Sequence, residues 1–165
     1  MITLKHILVA TDFSEASDAA CAYGRELASR FGATLHVLHI VQTFPPGAFG
    51  TEGFSVIGPE LQQQMEGDAR RRLKDLVLDA YDGGPAITPA VVTAAAPAAA
   101  IIEYANEYRV DLIVMGTHGR GAFAHLLMGS VAERVVRLAA CPVLTVKQPE
   151  RDFVHQDALI AVAEA

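Results

Sequence analysis

The sequence predicts an α/β fold: a three-layer, doubly wound sandwich around a five-stranded parallel sheet of order 3-2-1-4-5. Three observations carry that expectation. Apolar runs of strand length recur at 7–10, 35–41, 87–92, 112–115 and 143–146, most of them β-branched or Leu-rich. Stretches with helical spacing separate them, at 15–31, 59–81, 97–108 and 130–138. Strand alternating with helix is the pattern of parallel pairing, because a crossover helix must return the chain to the edge from which it started. The runs "ILVA", "LHVLHIV" and "LIVMG" are apolar on both faces or nearly so, as strands covered by helices on two sides are.

Taken in order, the first strand leads through "TDFS" into a helix that Ser14 can cap and Gly32 can end, glycine accepting the left-handed conformation common at helix ends. Residues 43–58, "TFPPGAFGTEGFSVIG", are too long for an ordinary connector and form either a flap over the sheet edge or a plain surface loop, the second being favoured. Ordinary packing is the expected role of Phe44, Phe49 and Phe54 within it. His36 and His39, three apart on one strand, should face opposite sides of the sheet, which argues against a shared metal and for hydrogen-bonded core or edge roles. The order 3-2-1-4-5 puts a topological switch point between strands 1 and 4, where diverging loops leave a crevice at the carboxyl edge. Residues 11–14 and 116–129 border it.

Length and composition agree. With 165 residues, 52% hydrophobic and 19% charged, the chain suits one folded domain, expected over residues 1–147, followed by an extension at 148–165. A net charge of −6 works against non-specific binding to nucleic acid or anionic membrane. The apolar part of "MITLKHILVATDF" is too short for a signal-peptide core and no run approaches membrane-spanning length, so a cytoplasmic location is expected. There a Cys21–Cys141 disulfide is not expected, and both cysteines read as buried thiols.

After the fourth strand the chain reads "MGTHGRGAFAHLLMGSVAERVV", with Gly116, Gly119, Gly121 and Gly129 between strand and helix. Glycines there admit a bulky anion to the main chain and permit positive φ angles. Gly129 and Ser130 open a helix whose unpaired amides and positive dipole end form a phosphate seat, Ser130 serving both as cap and as donor. A P-loop is absent, since no Lys followed by Ser or Thr occupies the required place. A dinucleotide fingerprint, nominally present in "GRGAFA", follows the wrong strand and lacks its acidic partner. A phosphoacceptor receiver would need an aspartate at the end of strand 3, where "TAAAP" stands. His118, inside the loop, is read as a loop residue without chemistry.

The loop does fit the pattern G-x2-G-x9-G-[S/T], met by Gly116, Gly119, Gly129 and Ser130. It is similar to the nucleotide-binding signature of the ATP-binding branch of the universal stress protein family. "HILVATDFSEAS" resembles that family's opening, "LHVLHIV" its adenine-contacting strand and "CPVLTVK" its last strand. The resemblance spans residues 5–147 and implies an adenine nucleotide alpha hydrolase-like fold. It also implies a site in which Asp12, at the strand end formed by Ala10 and Thr11, lies at the ribose hydroxyls. The main chain around Ile40 and Val41 would pair with the adenine edge. Gly116, Gly119, Gly129 and Ser130 would hold the phosphates, Val131 would add a helix-terminal amide, Arg120 would reach the outer phosphates, and Met115 would border the nucleotide. The ligand would be ATP with magnesium carried on its phosphates, no cluster of hard ligands being present. A homodimer through Val143–Val146 is implied too. Where many relatives have Gly and an acid before the proline after strand 3, this chain has Ala94, Ala95 and Ala96.

The expected function is a regulatory nucleotide-binding module of the stress response with at most slow ATP hydrolysis. An ATP-hydrolysing or phosphotransfer enzyme and a stress scaffold that binds no nucleotide are the alternatives. No base with an orienting partner is evident, and a phosphate cradle without a positioned nucleophile gives binding more readily than turnover.

Overall fold

The computed structural model describes residues 1–43, 59–78, 84–117 and 128–147. The segments 44–58 and 148–165 lie outside the described residues, as do His118, Gly119, Arg120 and Gly121. Nine elements alternate: β1 His6–Thr11, α1 Glu15–Phe31, β2 Thr34–Gln42, α2 Pro59–Leu78, β3 Ile87–Ala94, α3 Pro97–Glu107, β4 Leu112–Gly116, α4 Ser130–Leu138 and β5 Val143–Val146. The strands form one parallel sheet in the expected order, β3-β2-β1-β4-β5.

Period-two alternation divides the core into two layers. Ile7, Val9, Leu35, Val37 and Val114 pack with α1 and with Leu73 of α2 on one face. Leu8, Leu38, Ile113 and Met115 pack with Ile101 and Tyr104 of α3 and Val135 of α4 on the other. The central strands are almost wholly buried, which explains their continuous apolar runs. Glycine at position 24 lets α1 sit close to the sheet, for a Cβ there would stand 2.3 Å from Val9 Cγ2.

Several element ends differ from the apolar runs. The ladders of β1, β2, β3 and β4 continue into Thr11, Gln42, Ala94 and Gly116, because main-chain pairing does not require an apolar side chain. At α3 the last helical residue is Glu107, with Tyr108 taking the cap. The described part of α2 ends at Leu78. Ser14 caps α1 in a reciprocal box with Ser17, and Gly32 ends the helix at φ 63°. Both cysteines are free, Cys21 buried but Cys141 only half-buried beside β5, which corrects the expectation that both are interior. Among the described residues no helix is long and apolar enough to cross a membrane.

His36 and His39 lie on opposite faces. His36 Nδ1 pairs with Tyr104 Oη at 3.1 Å and its Nε2 with His6 Nδ1 at 3.2 Å. His39 Nδ1 meets the Thr11 carbonyl at 2.8 Å and its ring packs on Phe13.

Candidate functional site

The switch point lies where β1 pairs with β2 on one side and β4 on the other, in register Thr11 with His39 and Ala10 with Met115. Beyond Thr11 the chain turns sharply. Phe13 has φ 61°, an unusual conformation for a residue with a Cβ. Its amide donates to Thr11 Oγ1 at 3.0 Å, and the buried Thr11 hydroxyl meets Ser17 Oγ at 3.0 Å. Asp12 Oδ1 accepts from the Ser14 amide at 3.1 Å and from Ser14 Oγ at 2.5 Å. Asp12 is therefore part of the turn that starts α1, half-buried at the rim of the crevice.

On the other side of β1, β2 overruns its neighbour. The Thr34 amide donates to Lys5 O, while the Leu35 amide donates to Ala86 O and the Thr43 amide to Ala94 O. With period two, the main-chain groups of Ile40 and Gln42 point toward β1, and those of Val41 toward β3. The pairing with β1 stops at His39 but that with β3 continues to Gln42. Among the described strands the Ile40 carbonyl and the Gln42 amide therefore pair with none, and both face the side on which β1 has ended. Ile40 is half-buried with its side chain on the α3/α4 face, whereas Val41 is 3% exposed.

The same face supplies an apolar floor. Ala10, Ile40, Met128 and Val131 pack against the cluster that contains Met115. Across the floor, the chain leaves β4 at Gly116 and Thr117 and returns at Gly129. The Thr117 amide donates to Val146 O at 2.8 Å, and the Gly129 amide to Thr117 O at 2.7 Å. This second bond ties the start of α4 to the end of β4. It also occupies the Gly129 amide, so the first-turn donors that an α-helix leaves without intrahelical partners are those of Ser130, Val131 and Ala132.

Two expectations about this loop change. Gly129 takes the N-cap position at φ −70°, and Ser130, exposed, is the first helical residue with no side-chain capping bond, so its hydroxyl is not the cap. Among the described glycines only Gly32 has a positive φ. Gly116 owes its identity to packing: a Cβ there would lie 3.0 Å from the backbone carbon, oxygen and Cβ of Ala16, so glycine lets β4 end against the start of α1. Among the described residues no group of three or more His, Cys, Asp or Glu could hold a metal ion. An open depression between the end of α1 and residues 84–86 lies at the amino edge of the sheet, away from every candidate residue.

With this geometry defined, the chain can be set beside known proteins. The model of the universal stress protein family matches residues 3–147. This chain belongs to the universal stress protein family. Among relatives of this universal stress protein, MJ0531 of Methanocaldococcus jannaschii is 34% identical over 148 residues, covering 90% of this chain and 85% of the relative. The solved structure of MJ0577, from the same organism, superposes with a TM-score of 0.78 at 25% identity and covers 91% of this chain and 100% of that one. A universal stress protein solved in complex with cAMP superposes with a TM-score of 0.65 at 26% identity, covering 88% and 98%. Sequence reasoning about this universal stress protein passes over Phe13, Thr11 Oγ1 and Gln42. A residue other than glycine in the left-handed region gives no signal in a single sequence, and a main-chain amide has no side chain to announce it.

Proposed function

We propose that this universal stress protein binds ATP in the β1/β4 crevice and acts as a regulatory nucleotide-binding module in the stress response. The overrun of β2 is the observation that carries the reading. An outward carbonyl at Ile40 and an outward amide at Gln42 are an acceptor and a donor on one edge, complementary to the donor and acceptor edge of adenine. Ala10, Met115, Ile40 and Val131 give the base an apolar bed. Asp12 serves the ribose. Ser130 and Val131 supply helix-terminal amides to the phosphates, joined by Gly119 and Arg120 of the loop outside the described residues. Magnesium would ride on the phosphates rather than in a protein cage. The structural relative bound to cAMP supports an adenine nucleotide in this fold.

Hydrolysis is at most slow on this reading. A cytoplasmic homodimer through β5 completes it. In β3 the groups of Pro89, Val91 and Thr93 point outward by the same period-two count, and Pro89 has no amide to donate. The opposite edge, β5, contains no proline.

The test is nucleotide-dependent thermal stability combined with identification of ligand released by heat from freshly purified protein. At a nucleotide concentration a hundredfold above Kd, native-state binding adds about 2.7 kcal/mol. For a chain of this size that raises Tm by about 5–11 °C. The proposal fails if ATP, ADP, AMP and cAMP at millimolar concentration all leave Tm unchanged.

A further inference from the structure

The turn after β1 contains an expense that ligand binding does not by itself explain. Phe13 adopts φ 61°, a region in which glycine would be free of strain, yet the position holds an aromatic ring. Side chains from two other elements grip that ring. The His39 ring of β2 lies 4.4 Å away at 34°, and the Arg72 guanidinium of α2 stands over the ring, 4.3 Å from the Phe13 centroid. The Phe13 amide is held by Thr11 Oγ1 at 3.0 Å. The left-handed residue folds the chain back so that both the amide and the hydroxyl of Ser14 reach Asp12 Oδ1.

We infer that Phe13 is a positioning residue for Asp12, and that Arg72 of α2 closes a clamp on it, so that the setting of α2 is transmitted to the ribose end of the nucleotide site. The inference deepens the nucleotide-binding reading and rests on it for its consequence, though the clamp itself does not. Phe13 also packs against the core layer that contains Val9 and Ala20, a role that by itself has no need of a cation over the ring. Arg72 is solvent-exposed, so the contact adds little to the core and can be removed without opening a cavity.

Two readouts on the full chain separate the clamp from the nucleotide reading. The first is amide hydrogen exchange of residues 13–17 without nucleotide, and the second is ATP affinity by calorimetry. Arg72→Ala should speed exchange at the Phe13, Ser14 and Ser17 amides and weaken ATP by about two- to fivefold, the range for an exposed cation–π contact. Arg72→Lys, which keeps the cation, should restore both. Phe13→Gly should speed exchange further although its backbone is unstrained. In a Phe13→Leu background, Arg72→Ala should have no further effect, because leucine fills volume but offers no aromatic face. The clamp is overturned if Arg72→Ala leaves exchange at residues 13–17 unchanged, or if Arg72→Lys behaves as Arg72→Ala does. Faster exchange in Arg72→Ala in a wild-type chain that binds no ATP supports the clamp and overturns the nucleotide reading instead.

Discussion

Replacing Gly24 by alanine tests how closely α1 must seat on the sheet to hold the crevice. The new Cβ would lie 2.3 Å from Val9 Cγ2 and 3.3 Å from Leu35 Cδ1. Unstrained carbon atoms sit at about 3.5–4.0 Å, so the valine methyl would have to retreat by about 1 Å or more. Val9 is fully buried, its strand is paired on both sides, and a β-branched side chain has few alternative rotamers. Overpacking of this kind costs about 1–3 kcal/mol. Against it, alanine is a better helix former than glycine by about 0.8–1.0 kcal/mol. The severity of the overlap places the packing cost in its upper half, leaving a net loss of about 1–2 kcal/mol. For a chain of this length that lowers Tm by about 2–8 °C, measured by calorimetry or circular dichroism. Val9→Ala in the same chain should relieve the overlap, so that the double variant is less destabilised than the sum of the two single changes. A Gly24→Ala protein that melts at or above the wild-type temperature would refute the close-seating argument.

Three further outcomes follow from named contacts. Burial, and then the neighbouring His6, hold His36 below its ordinary value of 6.5. The unfolded chain therefore binds the proton more readily between the folded-state value and 6.5, and stability should fall as pH drops through that window. Urea midpoints at pH 7.5 and 5.5 check this: His36→Gln should reduce the difference between them, and an unchanged difference would exclude His36 as its source. Ser14→Ala removes the capping acceptor of α1 and a hydroxyl bonded to Asp12, and should cost about 1 kcal/mol in denaturant unfolding; no loss would mean that the cap is replaceable. Burial pushes the Cys21 thiol up to about 11, so native Cys21 should resist alkylation at neutral pH and react only on unfolding, whereas rapid labelling in the native protein would contradict its burial on the sheet-facing side of α1.

The interior strands are legible in the chain because the central runs are apolar on both faces, whereas their order comes from the pairing itself. Asp12 is legible as a residue at the switch point because it falls between a run with strand character and a capped helix. The ends of the ladders are not, since Gln42 and Ala94 are held by main-chain bonds that composition does not reveal. That is why the overrun of β2 emerges only with the register. Glycine is legible as a requirement but not as a reason: Gly116 suits a phosphate loop, yet the contact that excludes a side chain is with Ala16. Gly24, in mid-helix, carries no motif at all, and its cause lies in a valine fifteen positions earlier. Arg72 belongs to the short stretch "ARRRLK", whose significance the negative overall charge hides. Its contact with Phe13 joins two elements that sequence separation conceals.

Pro89 lies in the edge strand β3 and bears on how the proposed dimer could grow. A sheet with two competent borders can recruit a neighbour at each and polymerise without end. Among the described strands one border, β3, lacks a donor at its middle, so in the proposed dimer through β5 both outer borders would carry that proline. On that reading one imino acid would act as a chain terminator for the assembly, and a substitution that returned an amide at position 89 would remove the stop.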